Sequence, residues 1–334
     1  MRLPKFEYQR PKSVKEASTM LKEAPEEAMP VAGGTDLLVA MKQRVTTPRH
    51  VVDLKGIPGL DTIEYRDGTL RIGALTTLRQ LSDSPLVQET IPVLAQAARK
   101  AGSPQIRNMA TIGGNICLSR RCWYYNQSLA WRQSRSPCLR TGGAQCYVVK
   151  GSARCYTLHC ADTVPALLAL DAEVKLVSED GERITALDDF YLELGPKATT
   201  IEPGQVLTAV HVPVPPRSSC GLYLKYSGRP SINFPVVGVG ALLRRGNGNG
   251  TCEEARLAVG AICPRPVRLS HGEEVLRGEK LTPAVLAKFV EVAAGEIKPI
   301  PYIYGTPGYK RRILRSMLRD TIEQVWQGAK SAWL

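Results

Sequence analysis

The chain has 334 residues, 43% of them hydrophobic, and a formal net charge of +13 at pH 7, a size that suits two or three domains, each with its own buried core. No apolar run approaches the roughly 18 to 20 residues that span a bilayer, the start MRLPKFEYQRPKSVKEASTML has no apolar signal-peptide core, and the Lys and Arg residues are spread without a zinc finger, an RRM signature or an aromatic-interleaved patch. A membrane span and a nucleic-acid partner are therefore not expected, the expected location is the cytoplasm, and an acidic protein partner is a better use for the charge.

Residues 1–56 read as a small α/β unit: SVKEASTMLKEA has helical periodicity, MPVAGG is a short apolar run ending in glycines, and HVVDLKGI is a second strand candidate. A second unit runs from TLRIGALTTLRQLSD through the helix-like TIPVLAQAARKAG to a glycine turn in MATIGGNIC. Residues 118–158 break every periodic pattern, as an insertion does. Regular structure resumes in ADTVPALLALDAEVKLVSEDGERITALDDFYL and closes at the Pro-rich VPVPPRSS, which puts a boundary near residue 216. The last unit, 217–334, opens with strand-like GLYLKYSG, PVVGVGALLRR and EEARLAVGAI, with GNGNG as the hairpin turn between the last two. It ends in the helical LTPAVLAKFVEVAAGEI and RRILRSMLRDTIEQVWQGAK, and the basic stretch YKRRILRSMLR reads as a solvated helix face.

In VAGGTDLLVAMK an apolar strand runs into Gly33 and Gly34, followed by Thr35 and Asp36. Paired glycines let backbone amides approach a diphosphate, and the threonine adds a hydroxyl. The spacing is neither a GxGxxG fingerprint nor a P-loop, and taken alone a plain strand-to-helix turn explains it as well. ATIGGNIC supplies a second glycine pair, Gly113 and Gly114, flanked by Thr111 and Asn115. Two such loops suit one long cofactor.

Six of the nine cysteines (Cys117, Cys122, Cys138, Cys146, Cys155, Cys160) fall within 44 residues. In a reducing compartment that density suggests metal ligation more than disulfides. Cys122, Cys138, Cys146 and Cys155 lie inside the insertion with spacing C-x15-C-x7-C-x8-C, while Cys117 and Cys160 flank it. Four thiolates match a [4Fe–4S] site. Zinc or a redox-active thiol group stays open, although no compact C-x2-C element favours zinc. Cys220, Cys252 and Cys263 read as buried hydrophobes, the histidines as structural, and no GxSxG, HExxH or paired-carboxylate pattern supports hydrolysis.

The two glycine loops, together with FEYQRPKSVKEA, IGALTTL, ADTVPALLALDAEV, LYLKYSGR and YKRRIL in the same order, resemble the flavoprotein subunits of the xanthine dehydrogenase and carbon monoxide dehydrogenase family along almost the whole chain. The resemblance implies a vanillyl-alcohol-oxidase-type (PCMH-type) FAD-binding fold of two α/β subdomains, 1–56 and 57–216, plus a C-terminal α+β domain, 217–334. It implies FAD held by Val31, Ala32, Gly33, Gly34, Thr35, Asp36 and Leu37 at the diphosphate and by Ala110, Thr111, Gly113, Gly114 and Asn115 on a second loop. Asp162 matches an acid that reaches ribityl or ribose hydroxyls, and Lys225 a lysine near the isoalloxazine. Many relatives have an Asp a few residues after that lysine strand, where this chain offers Asn233, a departure that weighs against NAD as direct redox partner.

A cysteine-bearing insertion at this place resembles the β-subunit of 4-hydroxybenzoyl-CoA reductase. That likeness implies an electron-transfer subunit fed by ferredoxin through [4Fe–4S] and FAD, serving a molybdenum large subunit and a [2Fe–2S] small subunit in a dimer of heterotrimers. The alternatives are the FAD subunit of an aldehyde, purine or CO dehydrogenase delivering electrons to an external acceptor, and a zinc-stabilised, non-enzymatic binding protein.

Overall fold

The computed structural model describes residues 2–246, 250–303 and 305–331, without the side chains of 329–331. Strands β1 (Glu7–Gln9), β2 (Ala28–Val31) and β3 (His50–Asp53) form a parallel sheet in the order β1-β3-β2. The helix Val14–Glu23 links the first two strands. Ser13 caps it by accepting from the Glu16 amide, and its buried Ala17 and Leu21 pack with Val52, Leu54 and Ile57.

A second sheet holds β4 (Ile63–Arg66), β5 (Thr69–Gly73), β6 (Glu173–Ser178), β7 (Gly181–Ala186) and β8 (Val206–Pro213), antiparallel in the order β4-β5-β8-β6-β7. In β6 the buried Val174 and Leu176 alternate with Glu173 and Lys175, so one face is apolar. That face meets the helices Pro92–Lys100 and Thr163–Ala169 in a core containing Leu70, Ile72, Val174, Leu94 and Leu167. Between β5 and β6 the chain leaves the sheet, and this long excursion contains both the second glycine loop and the insertion.

The third sheet, β9 (Ser219–Tyr226), β10 (Val237–Arg245), β11 (Cys252–Gly260) and β12 (Val267–Arg268), is antiparallel, with Gly238 opposite Gly260. The helices Pro283–Gly295 and Pro307–Ser331 supply Phe289, Leu318 and Trp326 to its core. The helix Thr163–Ala169 lies tight on this sheet: a Cβ on Gly240 would stand 2.5 Å from the Pro165 carbonyl oxygen. One short helix therefore bridges the second and third sheets, because glycine lets the backbones touch.

Residues 247–249 of the GNGNG turn lie outside the described residues. The expected glycine turn in MATIGGNIC is instead a short helix, Ile112–Ile116, because the Thr111 hydroxyl caps it by accepting from the Gly114 amide. The basic C-terminal stretch is not wholly solvated: Lys310 is 1% exposed, and its ammonium lies 5.6 Å from the Tyr302 ring centroid. Among the described residues no helix is long and apolar enough to cross a membrane.

Candidate cofactor site

The two glycine loops meet. A Cβ on Gly33 would stand 2.0 Å from the Met109 carbonyl oxygen, so only glycine fits where the first loop abuts the second. Gly34 follows at φ +70°, a conformation side chains disfavour. The second loop is held from behind by the IGALTTL segment: Gly113 N donates to Ala74 O (2.9 Å), Ile112 N to Thr76 O (2.9 Å) and Leu78 N to Ala110 O (2.8 Å). Asn115 Oδ1 accepts from the Thr163 hydroxyl at 2.6 Å, which ties this loop to the bridging helix.

Asp162 and Lys225, 63 positions apart, are brought together. Lys225 Nζ lies 2.9 Å from Asp162 Oδ1 and 3.2 Å from Oδ2, and the Tyr223 hydroxyl donates to Oδ1 at 2.9 Å. Lys225 also donates to the Lys100 carbonyl at 2.9 Å. Burial pushes the Asp162 carboxyl up to about 6, against the downward pull of the Lys225 ammonium and the Tyr223 hydroxyl. Tyr223 is a member of this group that the sequence alone did not single out.

The insertion leaves and rejoins the fold through paired backbones at Arg121 and Leu158. Arg121 reaches out from this neck: its guanidinium pairs with Asp36 of the first glycine loop and lies 4.9 Å from the centroid of Phe234. Sequence reading missed it, since nothing local marks one arginine among many. Within the insertion the thiol-bearing Cys122, Cys138, Cys146 and Cys155 line one narrow cavity, together with Tyr125 and Arg140. All four are free thiols, and burial pushes Cys122 up to about 11. Among the described residues no three His, Cys, Asp or Glu side chains stand close enough to share a single metal ion.

Cys117 and Cys160 lie outside this cavity lining. His159, next to Cys160, is buried with Nε2 3.2 Å from the Ile116 carbonyl, and burial lowers its pKa to about 3, so it is a neutral structural donor. Cys252 and Cys263 are buried and Cys220 is half-buried. Asn233 accepts from Arg229 at 3.2 Å.

Residues 4–215 match the FAD binding domain in molybdopterin dehydrogenase, and residues 223–325 match the CO dehydrogenase flavoprotein C-terminal domain. The chain belongs to this family of FAD-binding subunits. It is 35% identical over 281 residues to the aldehyde oxidoreductase FAD-binding subunit of Escherichia coli, with 81% of this chain and 86% of that one covered. It is 29% identical to the carbon monoxide dehydrogenase medium chain of Afipia carboxidovorans, with 98% of each chain covered. The solved structure of reconstituted CO dehydrogenase from Oligotropha carboxidovorans superposes with a TM-score of 0.82 at 28% identity, covering 98% of this chain and 99% of that one. The fold is thus the PCMH-type FAD-binding domain plus the CO-dehydrogenase flavoprotein C-terminal domain expected from the resemblance.

The FAD-binding subunit's own residues suit that cofactor. The two loops meet where the Gly33 backbone abuts the Met109 carbonyl. Thr76 Oγ1, buried behind the second loop, has no protein hydrogen-bond partner among the described residues, which leaves one hydroxyl free for a ligand.

Proposed function

We propose that this chain is the electron-transfer flavoprotein subunit of a molybdenum-containing 4-hydroxybenzoyl-CoA reductase. In this reading ferredoxin is the donor, the chain holds FAD and a [4Fe–4S] cluster, and its partners are a small [2Fe–2S] subunit and a large molybdenum subunit in a cytoplasmic dimer of heterotrimers. Its units are residues 1–56, 57–216 with the insertion at 118–158, and 217–334.

The observation that carries the reading is the single cavity framed by Cys122, Cys138, Cys146 and Cys155. A tetrahedral zinc, with Zn–S near 2.3 Å, needs sulfurs converged on one point. Here the thiols surround a shared space, an arrangement that suits a polynuclear cluster. The neck of this insertion contacts the first glycine loop through Arg121 and Asp36, which supports a shared electron path.

FAD exchanges electrons singly or in pairs and an iron–sulfur cluster singly, which is the chemistry the two groups supply when bound. Val31, Ala32, Gly33, Gly34, Thr35, Asp36 and Leu37 would wrap the diphosphate, and Ala110, Thr111, Gly113, Gly114 and Asn115 the second stretch of the cofactor. Lys225, held in place by Asp162, would stand by the isoalloxazine and favour an anionic reduced ring.

The second reading, a FAD subunit that delivers electrons outward in an aldehyde, purine or CO dehydrogenase, is favoured by the 35% identity to the aldehyde oxidoreductase subunit. Substitution separates the cofactors. Cys138→Ser or Cys146→Ser should remove about one cluster's iron and leave FAD, and loss of FAD alone would contradict the proposal. Rapid reduction of the flavin by reduced ferredoxin favours the reductase, whereas reduction only by an aldehyde or purine favours the second reading.

A further inference from the structure

Residues 118–158 contain seven Arg and Lys and no Asp or Glu. One of them, Arg140, lines the thiol cavity, and a second, Arg120, lies behind it on the Gly195 and Leu192 carbonyls. Arg140 lines the cavity, lies 3.9 Å from the Tyr125 ring centroid and donates from Nη1 to the Arg120 carbonyl at 3.4 Å. Arg120, two positions before Cys122, is 1% exposed. Its Nη1 donates to the Gly195 carbonyl at 3.2 Å and its Nη2 to the Leu192 carbonyl. Gly195 in turn donates its amide to the Cys155 carbonyl at 3.4 Å, so the guanidinium is one residue removed from a cavity cysteine.

No carboxylate pairs with Arg120 among the described residues. Asp36 is taken by Arg121, and Glu193 by Arg265. Arg120 Nε has no hydrogen-bond partner there either. Arginine stays charged in a protein, and a buried charge needs a counter-charge to be tolerated. The acidic groups that act on Arg120 are Cys155, first, and Glu193, and since Glu193 is paired with Arg265, the Cys155 side of the thiol cavity is the one left to supply the counter-charge.

We propose that Arg120 is the counter-charge of the thiolate-bound group in the insertion, a positioning residue that sets how readily that group accepts an electron. The inference rests on the cluster reading above. Adding an electron makes a thiolate-ligated cluster more negative, so a fixed positive charge beside it stabilises the reduced form.

The test uses the assembled complex as purified, with iron and FAD counted and the insertion's signal followed by EPR in a potentiometric titration. Arg120→Gln should keep FAD and lower the reduced-to-oxidised ratio at fixed potential about tenfold, and Arg120→Lys should restore it. An unchanged ratio in Arg120→Gln overturns the inference while leaving the cluster reading intact. Should Arg120→Gln lose the insertion's iron, Arg120→Lys decides: iron retained with the native ratio supports the counter-charge, and iron lost again overturns it in favour of hydrogen-bond geometry. An unaltered complex with no iron beyond its partners' overturns both readings at once.

Discussion

Lys225 Nζ lies 2.9 Å from Asp162 Oδ1, and each side chain is only 5% exposed. Out of water such a pair is costly to break from one side, since the remaining charge is stranded. Lys225→Met should therefore destabilise the chain by about 3–5 kcal/mol, with FAD binding weakened as well. The double variant Asp162→Asn/Lys225→Met should cost less than the sum of the single changes. Urea unfolding with each variant checks this, and a loss under about 1 kcal/mol for Lys225→Met would remove the pair from the account.

The pair and its neighbour His159 pull the acid side of the stability profile in opposite directions. Asp162 is raised to about 6 from 3.8, so between those values the folded chain holds a proton the unfolded chain has lost, and this group favours folding less as pH rises through that window. His159 is lowered to about 3 from 6.5, so there the unfolded chain binds the extra proton, and its contribution is full above 6.5 and lost as pH falls toward 3.

His159→Gln should then remove up to about 2 kcal/mol of the stability that the unaltered chain loses between pH 7 and 5. Denaturant titrations at the two pH values measure it. Parallel losses in both proteins would mean that His159 is not held neutral.

Gly33→Val forces a side chain into the Met109 carbonyl, 2.0 Å from the required Cβ. The two loops should separate and FAD content should collapse, with insertion iron retained. Thr111→Ala removes the cap on the Gly114 amide, 3.1 Å from the Thr111 hydroxyl, which should cost about 1 kcal/mol, and with it a hydroxyl of the second cofactor loop, so flavin content should fall less than in Gly33→Val. Flavin absorbance after gel filtration reads both variants, and full flavin in Gly33→Val would count against the meeting of the loops.

The glycine loops, the strands of each unit and the disordered pattern of the insertion were legible because each is written in a short stretch of chain: an apolar run, a glycine pair, a lapse of periodicity. The partners of those residues were not. Asp162 meets Lys225 across 63 positions and Tyr223 across 61, and Arg121 finds Asp36 only after the insertion's neck has folded back. A basic run also hides which of its members turns inward. Lys310 sits in the first turn of its helix and is buried against Tyr302, a fact fixed by the tertiary packing of that turn and not by the composition of YKRRILR.

The most direct test of the central claim is an optical spectrum with iron, zinc and FAD content of the anaerobically purified chain and its co-purifying partners. The account predicts one FAD per chain and about four irons beyond those of the [2Fe–2S] partner, with zinc absent. FAD with no extra iron, or with one zinc in its place, would contradict it.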